Sequence, residues 1–191
     1  MGTSEPPTPQ PEQIPREFDR QVVLKDEAHV WLRAIRPDDE PRLVDLYGRL
    51  SQHTAYQRFF TVMKRLPPDW AHIFANVDYR KRMAVVAEHE HEGRLDLIGV
   101  GRYEPADEED TAEVAFVVQD GWQGRGLGAI LLDDITRAGE ARGIRRFRAY
   151  VLADNHRMLE LLTRFTDVLD RRLEDGVVSI VFKRRQTAPS V

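Results

Sequence analysis

The sequence has no cysteine among its 191 residues. This absence excludes a disulfide scaffold, a thiolate zinc site, an iron–sulfur cluster and a cysteine nucleophile, and it fits a reducing compartment. Long apolar runs are also absent, because no stretch approaches the roughly 18 residues that a membrane helix needs. We therefore expect a cytoplasmic protein with no membrane partner.

An excess of positive charge is lacking too. The chain has 28 basic and 32 acidic side chains, so its formal net charge is -4. Such a chain has no general basic field to attract a polyanion, and we expect no nucleic-acid partner. Its hydrophobic fraction of 41% is sufficient for one ordinary domain, and no internal repeat or linker suggests two.

The two ends of the chain differ in composition from the rest. Residues 1–18 contain five prolines and no apolar core, which is not the pattern of a signal peptide. The last residues are polar and include a proline. We predict a disordered leader over residues 1–20, a single domain over residues 21–185 and a flexible tail over residues 186–191.

Hydrophobic periodicity divides the first half of this domain into strands and helices. Apolar residues recur at every second position on both sides of residues 25–27, which predicts two opening strands. Spacings of three and four then predict helices that contain Leu43, Phe59 and Ile73. Strand patterns follow at residues 83–88, 95–103 and 112–118, and their short polar connections are typical of an antiparallel meander.

Helices and strands alternate in the second half. A helix is predicted from residue 127 to the region of Gly143, a strand over residues 147–152, and a helix from Asn155. A weak strand near Val168 and another over residues 177–182 complete the pattern. We predict an α/β (α+β) fold with a mixed, mostly antiparallel central sheet and helices on both faces.

A glycine-rich loop precedes the helix at residue 127. Residues 121–128 read GWQGRGLG, and the N–H groups of such a loop at a helix start form a cradle for an anion. Glycine lets a phosphate approach the backbone, and Arg125 could add a charge-assisted contact. Tight packing with no ligand is the alternative explanation of the glycines.

Three phosphate-binding patterns compete for this loop. A P-loop is excluded because neither Gly-Lys-Ser nor Gly-Lys-Thr occurs in the chain. Residues 124–129 fit the dinucleotide pattern with alanine in its last place, but that pattern should follow the opening strand of parallel βαβ units. Here an antiparallel meander comes first. Gln123, Gly126 and Gly128 satisfy the remaining pattern, Q-x-x-G-x-G, directly after a strand.

With this motif, the stretch from about Leu32 to Phe165 resembles a GCN5-related N-acetyltransferase (GNAT). The similarity runs from IRPDD at residues 35–39, through the Q-x-x-G-x-G loop, to Asn155. The sequences RFF (58–60), AEVAF (112–116) and NHRM (155–158) are similar to bacterial protein-lysine acetyltransferases that modify acyl-CoA synthetases. Larger relatives carry extra regulatory domains, for which we expect this chain to be too short.

The resemblance implies acetyl-CoA as the cofactor and identifies residues that would hold it. Its pyrophosphate is expected on the amides of the loop, namely Gln123, Gly124, Arg125, Gly126, Leu127 and Gly128. Its pantetheine arm is expected to pair with backbone around Phe116 and Val118, on a strand that splays from the strand at 147–152. Asn155 matches the asparagine that contacts this arm, although an asparagine at a helix start also serves as an N-cap.

Glu113 is the candidate general base. A lysine amine has a pKa of about 10.4 in solution, so its proton must be removed before the nitrogen can attack a thioester. Glu113, Ala115 and Val117 point to one side of their strand, and an acidic side chain amid apolar residues requires a reason. Glu113 also matches the catalytic glutamate position of the bacterial lysine acetyltransferases. A strand-end glutamate that merely faces solvent is the alternative.

Two positions depart from the family pattern. Many members place a tyrosine seven residues after the asparagine, as the acid for the departing thiolate, and here that position is Leu162. A thiol with a pKa of about 8.5 leaves readily without an acid, so activity survives this change in principle. Tyr150 and Tyr103 are candidate substitutes. Residues 166–167 are Thr-Asp where relatives commonly show Gly-Phe, which bears on the shape of the last hairpin.

Two polar clusters have simple structural explanations. His89 and His91 project to the same side of a solvent turn without a third ligand, so no metal site is predicted. The acidic run at residues 107–110 is typical of a solvated loop, and attraction of a basic substrate surface is its alternative.

These observations predict an N-acetyltransferase that moves the acetyl group of acetyl-CoA to an amine by direct attack in a ternary complex. A protein lysine side chain is the favoured acceptor, for example on an acyl-CoA synthetase, so the expected partner is a protein with an accessible lysine. Small-molecule amines and peptide amino termini are the alternative acceptors. A non-catalytic acyl-CoA sensor is the alternative from another functional class.

Overall fold

One eight-stranded sheet forms the middle of the protein in the computed structural model, which describes residues 13–186. Its strands are β1 (Arg20–Val23), β2 (His29–Ala34), β3 (Met83–His91), β4 (Arg94–Pro105), β5 (Thr111–Val118), β6 (Arg146–Leu152), β7 (Thr166–Glu174) and β8 (Val177–Arg184). The spatial order is β1-β2-β3-β4-β5-β6-β8-β7, and every neighbouring pair except β5 with β6 is antiparallel. The predicted mixed, mostly antiparallel sheet is confirmed.

Five helices of the described chain pack around this sheet. They are α1 (Glu40–Gly48), α2 (Gln52–Phe59), α3 (Pro68–Ala75), α4 (Leu127–Ala141) and α5 (His156–Phe165). Gly101 of β4 faces Ile135 of α4, whereas the next residue, Arg102, faces Phe74 of α3. Since successive strand residues point to opposite faces, α3 and α4 cover opposite faces of the sheet. Within residues 13–186, no helix is both long and apolar enough to cross a membrane.

β5 and β6 separate soon after they begin. Residues 111–113 of β5 pair in parallel with residues 146–148 of β6, and within these two fully described strands the pairing ends at Glu113. On its other edge, β6 pairs with β8 over residues 147–152. The edge of β5 over residues 114–118 is therefore open, which confirms the predicted splayed strand pair.

Glycines in β4 allow α4 to lie close to the sheet. A Cβ atom at Gly101 would lie 3.0 Å from the ring of Phe116 and 3.2 Å from Ile135. A Cβ atom at Gly99 would lie 3.2 Å from Leu127, the first residue of α4. Larger residues at either position would displace the helix, because protein interiors are close-packed. The two glycines thus set the position of α4 and of the loop before it.

A buried charge network fastens the start of α1 to the sheet. Arg33 of β2 donates from Nη1 and Nη2 to the two carboxylate oxygens of Asp39, at 2.7 and 2.8 Å, and from Nε to Glu88 at 2.9 Å. Burial alone would raise the pKa of Asp39, but the hydrogen bonds and the charge of Arg33 hold this pKa below its ordinary value. Asp39 therefore stays ionised inside the protein.

Part of the predicted leader packs against the domain. Phe18 is 2% exposed, Ile14 packs against the core, and Arg20 is the first residue of β1. Burial of apolar surface here outweighs the proline-rich composition from which the leader over residues 1–20 was predicted. Residues 1–12 of that leader, and residues 187–191 of the predicted tail, lie outside the described residues.

Candidate active site

A cavity of about 560 Å³ follows the open edge of β5, and we call it the donor cavity. Residues 114–118 line it along the strand, the loop before α4 lines one end, and α5 supplies a further wall. The cavity exists because β5 and β6 separate after Glu113. Its volume lies within the range of about 300–1,000 Å³ that is usual for small-molecule sites.

Eight of the nine predicted cofactor-binding residues line the donor cavity. They are Phe116, Val118, Gln123, Gly124, Arg125, Gly126, Gly128 and Asn155. The ninth, Leu127, is 1% exposed, and its side chain lies against Gly99 in the core. A contribution from Leu127 must therefore come from its backbone N–H. The residues are brought together as expected, and their role in binding stays a prediction.

The loop before α4 is shaped to present backbone donors. Gly124 and Gly126 have φ angles of 75° and 97°, in the left-handed region that side chains rarely adopt. Gly126 is the N-cap of α4, and the first N–H groups of a helix have no acceptor within the helix. N–H donors and the positive end of the helix dipole therefore meet at one end of the donor cavity, which suits a phosphate.

The side chain of Gln123 braces this loop. Its Nε2 donates to the backbone oxygen of Val118 at 2.9 Å and to Oγ1 of Thr54 at 3.3 Å. Its Oε1 accepts a hydrogen bond of 2.8 Å from Arg157. One residue thus links the loop to β5, α2 and α5.

Besides Arg157, the basic side chains of Arg125 and Lys25 lie at the loop, and only Arg125 was predicted from the sequence. Arg125 pairs with Asp26 at 2.9 Å, and its guanidinium carbon lies 4.6 Å from the centre of the Trp122 ring. Lys25 also lines the donor cavity, and its side-chain carbons lie 3.5–3.9 Å from the position of a Cβ on Gly126. In the sequence, Lys25 is only a basic residue in a predicted turn. Nothing in the sequence connects that turn to the glycine-rich loop.

Asn155 has the structural role that the sequence left open. Its Oδ1 accepts a hydrogen bond of 3.2 Å from the backbone N–H of Met158, so it caps α5, and it also lines the donor cavity. Leu162 points away from that cavity and is fully buried, whereas Leu161 and Phe165 line it. In this chain, position 162 therefore belongs to the core.

The two tyrosines considered as proton donors have different surroundings. Tyr103 is fully buried, and its hydroxyl donates to the backbone oxygen of Arg80 at 2.8 Å. Tyr150 is 44% exposed and lines the donor cavity. Of the two, only Tyr150 lines the donor cavity.

A second cavity of about 330 Å³ lies beneath α2 and α3, and we call it the acceptor cavity. The rings of Phe59, Trp70 and Phe74 form an apolar wall, and charged side chains from β4 and β5 complete the lining. Arg58 and Ala115 line both cavities, so the two cavities meet beside the middle of β5. Arg58 belongs to the RFF motif, but its sequence context did not predict a position in the site.

Glu113 lines the acceptor cavity at the point where β5 leaves β6. Glu113 remains exposed to solvent, but partial desolvation of its carboxylate raises its pKa above the ordinary value. The nearby carboxylate of Glu104 raises this pKa further, whereas the charges of Arg58 and Arg148 lower it. A carboxylate with increased proton affinity at a cavity wall is suited to act as a proton acceptor.

His89 of the β3–β4 hairpin has a packing role. The ring of His89 lies 4.4 Å from that of Trp122, and its Nδ1 is 3.1 Å from the backbone oxygen of His29. Over residues 13–186, no cluster of three or more histidine, aspartate or glutamate side chains could hold a metal ion.

The acidic loop between β4 and β5 is fastened to β6. Glu108 accepts a hydrogen bond of 2.8 Å from Arg148, and the backbone oxygen of Asp110 accepts from the N–H groups of Arg145 and Arg146 at 2.8 and 3.1 Å. These contacts bring the start of β6 against β5 and fix the point from which the two strands diverge.

Known proteins are similar to this chain in sequence. Residues 49–166 match the model of the acetyltransferase (GNAT) family. Acetyltransferase PA5475 of Pseudomonas aeruginosa is 32% identical over 153 residues, which cover 80% of this chain and 82% of that protein. Acetyltransferase Pat of Mycolicibacterium smegmatis is 35% identical over 151 residues, which cover 78% of this chain but 44% of that protein.

Solved structures show the same similarity. The GNAT domain of S. lividans PAT is 37% identical with a TM-score of 0.78, over 88% of this chain and 98% of that one. A cAMP-binding acyltransferase from Mycobacterium smegmatis is 26% identical with a TM-score of 0.58, over 87% of this chain and 47% of that one. This chain therefore spans about half the length of its two mycobacterial relatives.

Proposed function

Because the chain belongs to the acetyltransferase (GNAT) family of acetyl-CoA-dependent enzymes, we propose that it acetylates the side-chain amine of a protein lysine, with Glu113 as the general base. The observation that carries this proposal is the meeting of the donor and acceptor cavities at Arg58 and Ala115. Glu113 is two residues from Ala115 on the same face of β5, so the proposed base lies at this junction.

The donor cavity offers the groups that acetyl-CoA requires. The left-handed Gly124 and Gly126 expose N–H groups for the diphosphate, and Lys25 adds a positive charge at the same end. The open edge of β5 offers main-chain donors and acceptors to an extended pantetheine arm. When bound, acetyl-CoA supplies the acetyl thioester and a thiol leaving group.

The chain's own residues then have distinct tasks. Glu113 removes a proton from the lysine ammonium, directly or through one water, because a protonated amine has no lone pair for attack. As the C–N bond forms, the C–S bond breaks and the thiolate departs. The nitrogen loses its second proton to the departing sulfur or to solvent, and Glu113 releases the first proton to solvent. Main-chain N–H groups on the open edge of β5 are candidate donors to the acyl oxygen on which negative charge develops.

A protein acceptor is supported by sequence motifs and by surface shape. The RFF, AEVAF and NHRM motifs resemble those of bacterial protein-lysine acetyltransferases. Trp70 and Ile73 beside the acceptor cavity are 38% and 47% exposed, so another protein could pack on them. We place the reaction in the cytoplasm, in keeping with the absence of cysteine.

The proposal is tested by incubating dialysed bacterial lysate proteins with the enzyme and isotope-labelled acetyl-CoA. Mass spectrometry should find labelled lysine residues with the wild-type enzyme and far fewer with Glu113→Gln. Thiol release that depends on dialysable amines, with no labelled protein, would instead support a small-molecule acceptor. If the protein binds acetyl-CoA but releases no thiol with either lysate proteins or dialysable amines, the result would support the non-catalytic sensor.

A further inference from the structure

Two carboxylates face the acceptor cavity side by side. Glu104 of β4 is the cross-strand partner of Glu113 of β5, so the two side chains project from the same face of the sheet. Residues directly opposite each other have Cβ atoms about 4.5–5.5 Å apart, and like charges at that distance destabilise the sheet. A cation placed between the two carboxylates would relieve this repulsion.

Glu104 has a buried cation behind it. Arg102 is 3% exposed, its Nη2 lies 3.3 Å from Oε1 of Glu104, and its guanidinium carbon lies 4.1 Å from the centre of the Phe74 ring. Burial lowers the pKa of Arg102 to about 10, so it keeps its charge at neutral pH. Arg102 therefore forms an ion pair with Glu104 from behind the cavity wall.

Arg102 lines the acceptor cavity, but most of its guanidinium group is buried. Within the described chain, its buried Nε and Nη2 make no hydrogen bond, and both atoms are shielded from solvent. An incompletely bonded buried cation is unfavourable for folding, so its retention requires a role other than packing. An ion pair that positions Glu104 at the cavity wall is such a role.

The apolar wall of the cavity suits an unbranched aliphatic chain. The ring centre of Phe59 lies 5.6 Å from that of Trp70 and 6.3 Å from that of Phe74. Such rings pack against methylene groups, and their faces attract a cation. Aromatic surface on one side and paired carboxylates on the other match the two parts of a lysine side chain.

We propose that Glu104, supported by Arg102, binds the ammonium group of the acceptor lysine and presents it to Glu113. This inference rests on the proposed function and adds a residue that recognises the substrate. The site then selects a primary amine at the end of an aliphatic chain. An amine that carries a neighbouring carboxylate is disfavoured, because that carboxylate would meet the charges of Glu104 and Glu113, and two nitrogens of Arg102 are shielded from solvent.

The experiment uses initial rates of thiol release at saturating acetyl-CoA, with Nα-acetyl-lysine methylamide as the varied acceptor. For Glu104→Gln we expect KM for this acceptor to rise about tenfold or more, with a much smaller change in kcat. Glu104→Asp should recover part of the loss. Glu90→Gln, which removes the same charge from the exposed end of β3, should match the wild type. Glycine should be a far poorer acceptor than the lysine derivative.

A pH profile separates recognition from a purely structural role. The charged groups that face Glu113 are Arg58 of α2, Glu104 of β4, Asp107 of the β4–β5 loop and Arg148 of β6. Loss of the Glu104 charge should move the acidic limb of kcat/KM to lower pH, whereas simple loosening of the fold would lower the rate at all pH values. Circular dichroism checks that each variant is folded.

Three results would overturn the inference. They are an unchanged KM in Glu104→Gln, an equal effect of Glu90→Gln, and failure of the wild-type enzyme to acetylate the lysine derivative. If the wild type labels lysine residues of lysate proteins while any of these results holds, the proposed function stands and the inference about Glu104 alone is rejected.

Discussion

The side-chain amide of Gln123 donates to the backbone oxygen of Val118 across 2.9 Å and joins the loop before α4 to the last residue of β5. The proposed diphosphate cradle and the open strand edge are thereby held at a fixed separation. In Gln123→Ala we expect KM for acetyl-CoA to rise about fivefold to tenfold with little change in kcat, since each lost hydrogen bond is worth about 1 kcal/mol. Initial rates at varied acetyl-CoA measure this, and Gln52→Ala at the exposed start of α2 is the control.

Replacement of Glu113 by glutamine should remove the acidic limb of the pH profile. The proposed base acts when ionised, so activity is lost as pH falls through its pKa, and burial moves that loss above the range of an ordinary glutamate. We expect kcat at neutral pH to fall about 10²- to 10⁴-fold. A variant with full turnover would show that another group takes the proton.

The same substitution should not weaken the fold. A carboxyl whose pKa is raised in the folded state destabilises the protein when it is ionised, and a neutral glutamine avoids that cost. The melting temperature of Glu113→Gln at neutral pH should therefore equal or exceed that of the wild type. A clear decrease would mean that Glu113 supports the structure and that its kinetic effect is indirect.

Substitution of Tyr150 tests whether the departing thiolate needs a proton donor. Because a thiol with a pKa of about 8.5 leaves without help, we expect Tyr150→Phe to change kcat by less than about threefold at saturating substrates. A tenfold loss or more, stronger at high pH, would instead assign proton donation to this hydroxyl. Leu162, a fully buried residue of α5, offers no such group.

Gly126 and Gly121 offer a matched comparison within one loop. Gly126 has a φ of 97°, and a side chain in the left-handed region costs about 1–2 kcal/mol, whereas Gly121 has no such constraint and open space around it. In urea unfolding, Gly126→Ala should lose about that amount and Gly121→Ala should lose much less. Equal losses would show that the left-handed turn does not matter to stability.

The network around Asp39 predicts a dependence of stability on acidity. The pKa of Asp39 is lower in the folded protein than in the unfolded chain, so its stabilising effect is present above the unfolded pKa and is lost as pH falls through the folded pKa. Asp39→Asn should lose about 3–5 kcal/mol of unfolding free energy at neutral pH, because Arg33 is left partly unpaired. Asp38→Asn in the same turn, where the side chain is exposed, should lose little.

Local patterns predicted most strands and the loop, because periodicity and glycine spacing are properties of neighbouring residues. β3 extends to His91, beyond the predicted Glu88, since the left-handed turn at residues 92–93 lets the ladder continue into polar sequence. β7 was predicted weakly because nearly all of its residues are exposed, which removes the apolar alternation of a half-buried strand.

The candidate site was predicted less completely, because its remaining parts come from distant elements. Lys25 reaches Gly126 from the first turn of the sheet, and Glu104 meets Glu113 through strand register. Register depends on the whole meander and on the bulge between Ala87 and Glu88. The sequence of β4 alone therefore did not indicate that Glu104 would face the carboxylate of Glu113.

The open edge of β5 also bears on how such enzymes diversify. Main-chain groups over residues 114–118 are the same whatever side chains the strand carries, so recognition of the acyl donor through them tolerates extensive sequence drift. Selection for new acceptors can then act on α2, α3 and the facing residues of β4 without disturbing the donor. Compounds that imitate an added strand would engage many divergent members alike, whereas selective inhibitors would need to exploit the aromatic wall.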